Sequence, residues 1–214
     1  MRSSRIQGLY AIADTSFLSE DRLIREVALA LRGGVRMVQY RDKSNDRARR
    51  EHQVRELLDC CRPYNVPLIL NDDVDLALRM GAAGVHVGRH DPAVAHARTV
   101  LGTSAIVGVS CYNDLSLALE AERAGATYVA FGRFFPSHTK PDAVQAHPSL
   151  LLEAKRCLRV PLVAIGGITP ENAPALISAG ADSVAVIHAL FADPDIRTTA
   201  ARFASLFRVH SCPS

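Results

Sequence analysis

Three carboxylates follow directly on a short apolar run in the stretch LILNDDVDLAL, residues 68–78. The run ends at Asn71, and Asp72, Asp73 and Asp75 come after it. Carboxylates at such a place can accept the free N–H groups at the start of a helix. They can also hold Mg²⁺ against a phosphate ester, since Mg²⁺ takes one or two carboxylates and completes its shell with phosphate oxygens and water.

A further carboxylate, Asp91, follows the next predicted strand along the chain. The carboxyl ends of neighbouring parallel strands meet at one edge, so Asp72 and Asp91 could hold one Mg²⁺ against a diphosphate, beside Arg41 and Lys43. We favour this interpretation for Asp72. For Asp73 we favour the capping of a helix.

Lysine is scarce in the chain, with only three among the 25 basic residues. Lys43 and Lys140 lie in polar segments that follow predicted strands, whereas Lys155 lies in a helical pattern and is expected to be solvated. A lysine ammonium is a compact charge that can follow a phosphate group. Lys43 and Lys140 are therefore candidate phosphate ligands.

The stretch GGITPEN, residues 166–172, and the segment after Ile187 predict a second phosphate site. A glycine turn and a short following helix offer clustered backbone N–H groups, and phosphates commonly bind at this place in barrels. The alternative is a tight turn before a helix that Thr169 caps and that Pro170 begins.

Other catalytic chemistries find little support. No Ser–His–Asp arrangement is legible, and Cys111 lacks an evident base. A zinc cluster of His86, His90, His96 and Asp91 is disfavoured, because His86 lies within a predicted strand and no zinc-ligand spacing is present.

Four segments repeat one pattern, a helix that ends at glycine followed by a short β-branched strand: residues 32–40, 80–88, 124–132 and 179–187. With the remaining apolar runs, eight strands are predicted to begin near residues 8, 35, 67, 84, 105, 127, 161 and 182. They alternate with helical patterns and lack strict polar alternation, which is typical of parallel strands buried on both faces. We therefore predict an α/β fold, a single (β/α)₈ TIM barrel, rather than an open doubly wound sheet.

Length and composition fit one domain over residues 1–214, with predicted tails at 1–6 and 209–214. The net charge of +3 is too small to indicate nucleic acid. Five cysteines, of which Cys60 and Cys61 are expected on a helix, and the lack of an apolar leader or long apolar run predict a cytoplasmic protein without membrane contact. The oligomeric state stays open.

Six ordered motifs make the chain resemble thiamine phosphate synthase from its first strand to its last helix. They are QYRDK (39–43), LILNDDVDLAL (68–78), GVHVGRHD (84–91), IVGVS (106–110), SHTKPDA (137–143) and AIGGITPEN (164–172). The resemblance implies a Mg²⁺-dependent transferase. It would join an aminopyrimidine methyl diphosphate to a thiazole phosphate, releasing pyrophosphate and giving thiamine phosphate. Diphosphate would depart first, so that no strong protein nucleophile is needed.

The resemblance also implies the roles of individual residues. Asp72 and Asp91 would hold Mg²⁺, and Lys140, Ser110 and Arg41 would act in catalysis. The pyrimidine diphosphate would contact Gln39, Tyr40, Arg41, Asp42, Lys43, Asn71, Ser110 and Lys140. The thiazole phosphate would contact Ser137, His138, Thr139, Gly167, Ile187 and His188.

Four residues depart from the family pattern: Ser137 replaces threonine, Arg89 glutamine, Arg133 proline and His188 serine. The change at His188 loses a hydroxyl at the predicted phosphate site, although a protonated imidazole could supply charge there. Two alternatives stay open. One is an isomerase of the same fold that acts on the thiazole phosphate alone, and the other is a non-catalytic barrel that binds phosphate ligands.

Overall fold

Eight parallel strands close into a barrel in the computed structural model, which describes residues 6–88, 91–136 and 144–208, with backbone alone at 91–93 and 208. Neighbours in sequence are neighbours in the barrel, and β1 also pairs with β8. This confirms the predicted (β/α)₈ fold, and every predicted strand start lies within two residues of the observed one. The strands are β1 (Gly8–Asp14), β2 (Met37–Arg41), β3 (Leu68–Asn71), β4 (Gly84–Val87), β5 (Ile106–Tyr112), β6 (Tyr128–Phe131), β7 (Leu162–Ile165) and β8 (Ser183–Val186).

Helices follow the strands and cover the outside of the barrel. They are α1 (Glu20–Arg32), α2 (Arg47–Cys61), α3 (Val74–Met80), α4 (Asp91–Leu101), α5 (Leu115–Arg123), α6 (Ser149–Cys157), α7 (Ala173–Ser178), α8 (His188–Phe191) and α9 (Ile196–Arg208). A short 3₁₀ helix, Arg62–Tyr64, follows α2. Cys60 and Cys61 lie at the end of α2, as predicted. Within the described ranges no helix is long and apolar enough to cross a membrane.

The strands are buried on both faces, and this divides the core into two clusters. The larger cluster lies between strands and helices and includes Leu9, Ala11 and Val38. The smaller one fills the inside of the barrel with residues from the alternate strand positions, such as Tyr10 and Ile12. Alternation along each strand therefore decides which side chains can reach a site inside the barrel.

The starts of α3 and α7 and the surroundings of Lys155 bear on three of the predictions. Asp73 caps α3, as predicted, since its carboxylate accepts the N–H of Leu76 at 2.8 Å. α7 begins at Ala173, four residues after Thr169. The N–H of Ala173 donates to Thr169 O at 3.0 Å, so the turn that leads into α7 starts at Thr169, as the capping alternative supposed. Lys155 is not simply solvated, because its ammonium pairs with Asp182 at 2.6 Å.

The predicted single-domain boundaries stay a prediction. Ile6, at the edge of the predicted N-terminal tail, is 1% exposed and packs with the inner cluster. Residues 1–5 and 209–214 lie outside the described ranges.

Candidate active site

A cavity of about 510 Å³ opens at the carboxyl ends of the strands. Seven residues predicted to bind the substrates line it together, although they come from five different strand exits: Gln39, Arg41, Asn71, Ser110, Gly167, Ile187 and His188. Its floor is apolar and includes Ile12, Val163 and Ile165. The position agrees with the place where barrel enzymes build their active sites.

Arg41 is anchored by a carboxylate that the sequence analysis missed. Its Nη1 donates to Asp14 Oδ2, and Asp14, 2% exposed, also accepts the N–H and the hydroxyl of Ser16 at 2.9 and 2.7 Å. A buried carboxylate needs such partners, because desolvation is costly for an unpaired charge. One sequence signal could have indicated Asp14: it ends β1, just as the predicted site residues lie at the ends of other strands.

Tyr40 does not reach the cavity, which corrects its predicted contact with the substrate. Side chains alternate along a strand, so that Gln39 faces the inside of the barrel and Tyr40 faces α2. Tyr40 is 2% exposed, and its hydroxyl lies 2.7 Å from Gln53 Oε1 and 3.1 Å from Asp42 Oδ2.

Asp42 organises the loop after β2, a role that differs from the predicted substrate contact. Its carboxylate accepts the N–H of Ser44 at 2.7 Å and pairs with Arg49 Nη2 at 3.0 Å, which holds the turn around Lys43. Burial raises the pKa of Asp42, but the hydrogen bonds from Ser44, Arg49 and Tyr40 outweigh it and lower the pKa to about 2. Asp42 is therefore ionised at neutral pH.

Asp72 stands exposed at the end of β3 in a left-handed backbone conformation, with φ of 63°. Its Oδ2 accepts from Asn71 Nδ2 at 2.7 Å. A left-handed conformation costs a residue with a side chain about 1 kcal/mol and is often found at functional positions. Asp72, Asn71 and Lys43 line a second hollow, of about 490 Å³, that adjoins the cavity at Asn71.

Five polar side chains form a connected row inside the barrel, and three of them, Tyr10, His86 and Tyr128, were not predicted. The row runs from Gln39 through Tyr10, Tyr128 and His86 to Ser110, with each link between 2.7 and 2.9 Å. Sequence offered one signal, the inward strand positions of these residues. Their contacts join residues up to 118 positions apart, which no local pattern reports.

The glycine turn after β7 lies against the exit of β6. Gly167 has φ of 64°, and a Cβ there would lie 2.3 Å from the carbonyl oxygen of Pro136. Asn172 holds the turn, donating from Nδ2 to Gly167 O at 3.0 Å and accepting the N–H of Thr169 at 2.9 Å. At the neighbouring exit, after β8, α8 begins at His188, whose ring centroid lies 4.5 Å from that of Phe17.

Several predicted residues lie outside the described ranges: Ser137, His138, Thr139, Lys140, Arg89, His90 and the side chain of Asp91. In the part of the chain that is described, no group of three or more His, Cys, Asp or Glu residues could hold a metal ion. The described share of the predicted Mg²⁺ site is Asp72. Its exposed carboxylate accepts from Asn71 and lines the same hollow as Lys43, and it is the hard oxygen ligand that Mg²⁺ prefers.

Comparison with known proteins shows the family to which the chain belongs. Residues 9–190 match the family model described as thiamine monophosphate synthase. A protein of Nitrosococcus oceani named thiamine-phosphate synthase is 53% identical over 211 residues, which are 99% of this chain and 97% of that protein. A relative of the same name from Thiobacillus denitrificans is 54% identical over 200 residues, 94% of each chain. A solved structure, thiamine phosphate pyrophosphorylase from Pyrococcus furiosus, is 30% identical and has a TM-score of 0.86, covering 96% of this chain and 98% of its own. The chain belongs to the thiamine monophosphate synthase family.

Proposed function

We propose that the chain is a thiamine phosphate synthase, a transferase. It joins 4-amino-2-methyl-5-hydroxymethylpyrimidine diphosphate to hydroxyethylthiazole phosphate and releases pyrophosphate. The observation that carries the proposal is the cavity at the strand exits. Seven residues of the predicted substrate sites line that one cavity. The family to which the chain belongs supports the same function.

The reaction needs positioning and charge stabilisation more than a protein nucleophile. The bond from the pyrimidine methylene carbon to the diphosphate oxygen breaks, and its electron pair leaves with the diphosphate. The electron-rich aminopyrimidine stabilises the resulting cation, and the thiazole nitrogen donates its lone pair to form the new C–N bond. The site must therefore stabilise the charge that develops on the leaving diphosphate and align the two substrates.

Cations and hydroxyls around the cavity supply that stabilisation. Arg41, held by Asp14, binds the diphosphate from the cavity, and Lys43, held in the loop that Asp42 organises, binds it from the adjoining hollow, with Ser110 donating from β5. Lys140 is assigned the same task from its position in the motif SHTKPDA. Gln39 and Asn71 hold the pyrimidine side of the substrate.

Mg²⁺ would be held by Asp72, with Asp91 as its expected partner. When bound, the ion supplies neutralising charge next to the diphosphate oxygens. The left-handed backbone of Asp72 and the hydrogen bond from Asn71 support this role.

The thiazole phosphate binds at the opposite side of the cavity, between the Gly167 turn and the start of α8 at Ile187 and His188. Ser137, His138 and Thr139 complete this site in the proposal. The apolar floor of Ile12, Val163 and Ile165 limits water that would capture the cation before the thiazole does. The free thiols of Cys60, Cys61, Cys111 and Cys157 suit a reducing compartment and support a cytoplasmic location as part of the proposal.

The test is an assay of the purified chain with both substrates and Mg²⁺, following thiamine phosphate and pyrophosphate. Both products are expected to appear at equal rates. Lys140→Ala should lower turnover strongly, and the matched control Lys155→Ala, whose ammonium pairs with Asp182 on the outside of the barrel, should retain it. Conversion of the thiazole phosphate alone would instead identify an isomerase. Binding of the pyrimidine diphosphate without consumption would identify a binding protein.

A further inference from the structure

The polar row inside the barrel connects opposite walls of the cavity. Gln39 Nε2 donates to the Tyr10 hydroxyl at 2.7 Å, and the Tyr10 hydroxyl lies 2.9 Å from that of Tyr128. The Tyr128 hydroxyl lies 2.9 Å from His86 Nδ1, and His86 Nε2 lies 2.8 Å from Ser110 Oγ. The two ends, Gln39 and Ser110, are both residues assigned to the pyrimidine diphosphate. The row thus links two substrate contacts that stand on different strands.

Tyr128 is the member of the row that lies inside the barrel without lining the cavity. It is fully buried, whereas the other four members line the cavity, although Tyr10 and Gln39 are also at most 2% exposed. Its ring meets that of Tyr10 edge-on at 6.0 Å and stacks on that of His86 at 5.7 Å. The ring also occupies the space above Gly108, where an added Cβ would lie 2.0 Å from Tyr128 Cζ. Gly108 therefore makes room for this tyrosine, which is held in one place.

The hydrogen bonds of the row can run in one of two orders, because either phenol can donate to the other and the imidazole of His86 has two tautomers. Burial raises the pKa of Tyr10 and of Tyr128, so that each phenol keeps one hydrogen to donate. The Gln39 amide nitrogen can only donate, so Tyr10 accepts from it, and in the first order Tyr10 gives its own hydrogen to Tyr128. Tyr128 then donates to His86 Nδ1.

His86 in this order carries its proton on Nε2. Its Nε2–H donates to Ser110 Oγ, so that the hydroxyl hydrogen of Ser110 stays available for an acceptor in the cavity. The opposite order would make Ser110 donate to His86 and offer a lone pair to the cavity. A diphosphate oxygen requires the first order, because it can only accept.

We propose that Tyr128 is a positioning residue for the reaction, because through His86 it makes Ser110 present its hydroxyl hydrogen to the departing diphosphate. This inference rests on the proposed function, since it gives Ser110 a diphosphate to bind. Charge on the leaving oxygens grows in the transition state, so that a lost orientation at Ser110 lowers kcat more than it weakens ground-state binding. Tyr128 itself contacts neither substrate.

Tyr128→Phe tests the proposal, because it keeps the ring above Gly108 and removes one oxygen. We expect kcat to fall about tenfold, which is the effect of losing one hydrogen bond in the transition state. KM for the thiazole phosphate should be unchanged. The double variant with Ser110→Ala should be no slower than Ser110→Ala alone. Nitrogen NMR of wild-type His86 should show its proton on Nε2, and Tyr128→Phe should abolish that preference.

The control is Ser183→Ala, which removes a buried hydroxyl that donates to Gly8 O at 2.8 Å, at the opposite end of the barrel. It should keep full kcat. Wild-type kcat in Tyr128→Phe, losses that multiply in the double variant, or a proton on Nδ1 of wild-type His86 would overturn the proposal. If Tyr128→Phe does not fold, the NMR measurement on wild-type His86 still tests the proposal, because a proton on Nδ1 would overturn it. Inactivity of the wild type would refute the proposed function instead, and the NMR measurement, which needs no turnover, would still decide the direction of the row.

Discussion

Arg41 donates to Asp14, a carboxylate buried at the end of β1, and this ion pair joins the two strand exits β1 and β2 beneath the proposed diphosphate. Arg41 itself stays 16% exposed and lines the cavity. Asp14 is thus placed to hold the guanidinium in the orientation that a diphosphate would meet.

Asp14→Asn should reduce both stability and turnover. The amide keeps the shape of the side chain but removes the charge opposite Arg41, and losing one partner of a buried pair costs about 3 kcal/mol. Denaturant unfolding should show this loss, and steady-state kinetics should show a higher KM for the pyrimidine diphosphate. The control Glu51→Gln, at the exposed pairs with Arg47 and Arg79, should change neither quantity. An unchanged KM in Asp14→Asn would show that Arg41 needs no anchor.

Asp72 and Asp73 are adjacent, but substitution of Asp72 should mainly affect turnover and substitution of Asp73 should mainly affect stability. Asp72→Gly should nearly abolish turnover with Mg²⁺ while stability stays equal or rises, because glycine adopts φ of 63° without strain. Asp73→Ala should lower the free energy of unfolding by about 1 kcal/mol through loss of the α3 cap, with a smaller effect on turnover. Thermal melts and a Mg²⁺ titration of the rate distinguish the two. Loss of stability in Asp72→Gly with normal turnover would contradict the metal assignment.

Local sequence signals predicted the strands well, and with them the fact that the residues after several strands line one cavity. Gly33 and Gly81 mark helix ends, and short apolar runs mark buried strands, so that the barrel and the cavity position follow from nearby residues. The error at Tyr40 was avoidable in principle. Consecutive residues of a strand cannot all face one cavity, and Gln39 already takes the inward position.

The rest depended on contacts between distant residues. The role of Asp14 depends on its contact with Arg41, and that of Tyr128 on its contacts with Tyr10 and His86. These contacts form only when the barrel closes. Spacing along the chain does not report which inward residue of one strand meets that of another. Lys155 was misjudged for the same reason, because Asp182 lies 27 residues away.

Asp42 should give acid sensitivity to the loop that carries Lys43. Its pKa of about 2 in the folded chain lies below its ordinary value of 3.8, so its contribution to stability is present above about pH 4 and is lost as the pH falls towards 2. Asp42→Asn should therefore lower the free energy of unfolding by about 2 kcal/mol at neutral pH. Urea unfolding of both chains over a pH series should show this difference shrinking below pH 4. A difference that does not depend on pH would mean that charge is not what Asp42 contributes.

Gly167→Ala should impair the thiazole phosphate site in particular. An alanine would need φ of 64° and would place its Cβ 2.3 Å from the carbonyl oxygen of Pro136, so the turn after β7 has to move away from the segment after β6. We expect KM for the thiazole phosphate to rise by about tenfold or more, with little change in KM for the pyrimidine diphosphate. Gly81→Ala is a matched control, since φ there is 67° and no atom of the described residues lies within 4 Å of the added Cβ. It should cost about 1 kcal/mol of stability from backbone strain alone and leave both KM values unchanged. Equal kinetic effects of the two substitutions, or a loss confined to the pyrimidine diphosphate, would remove the phosphate site from the Gly167 turn.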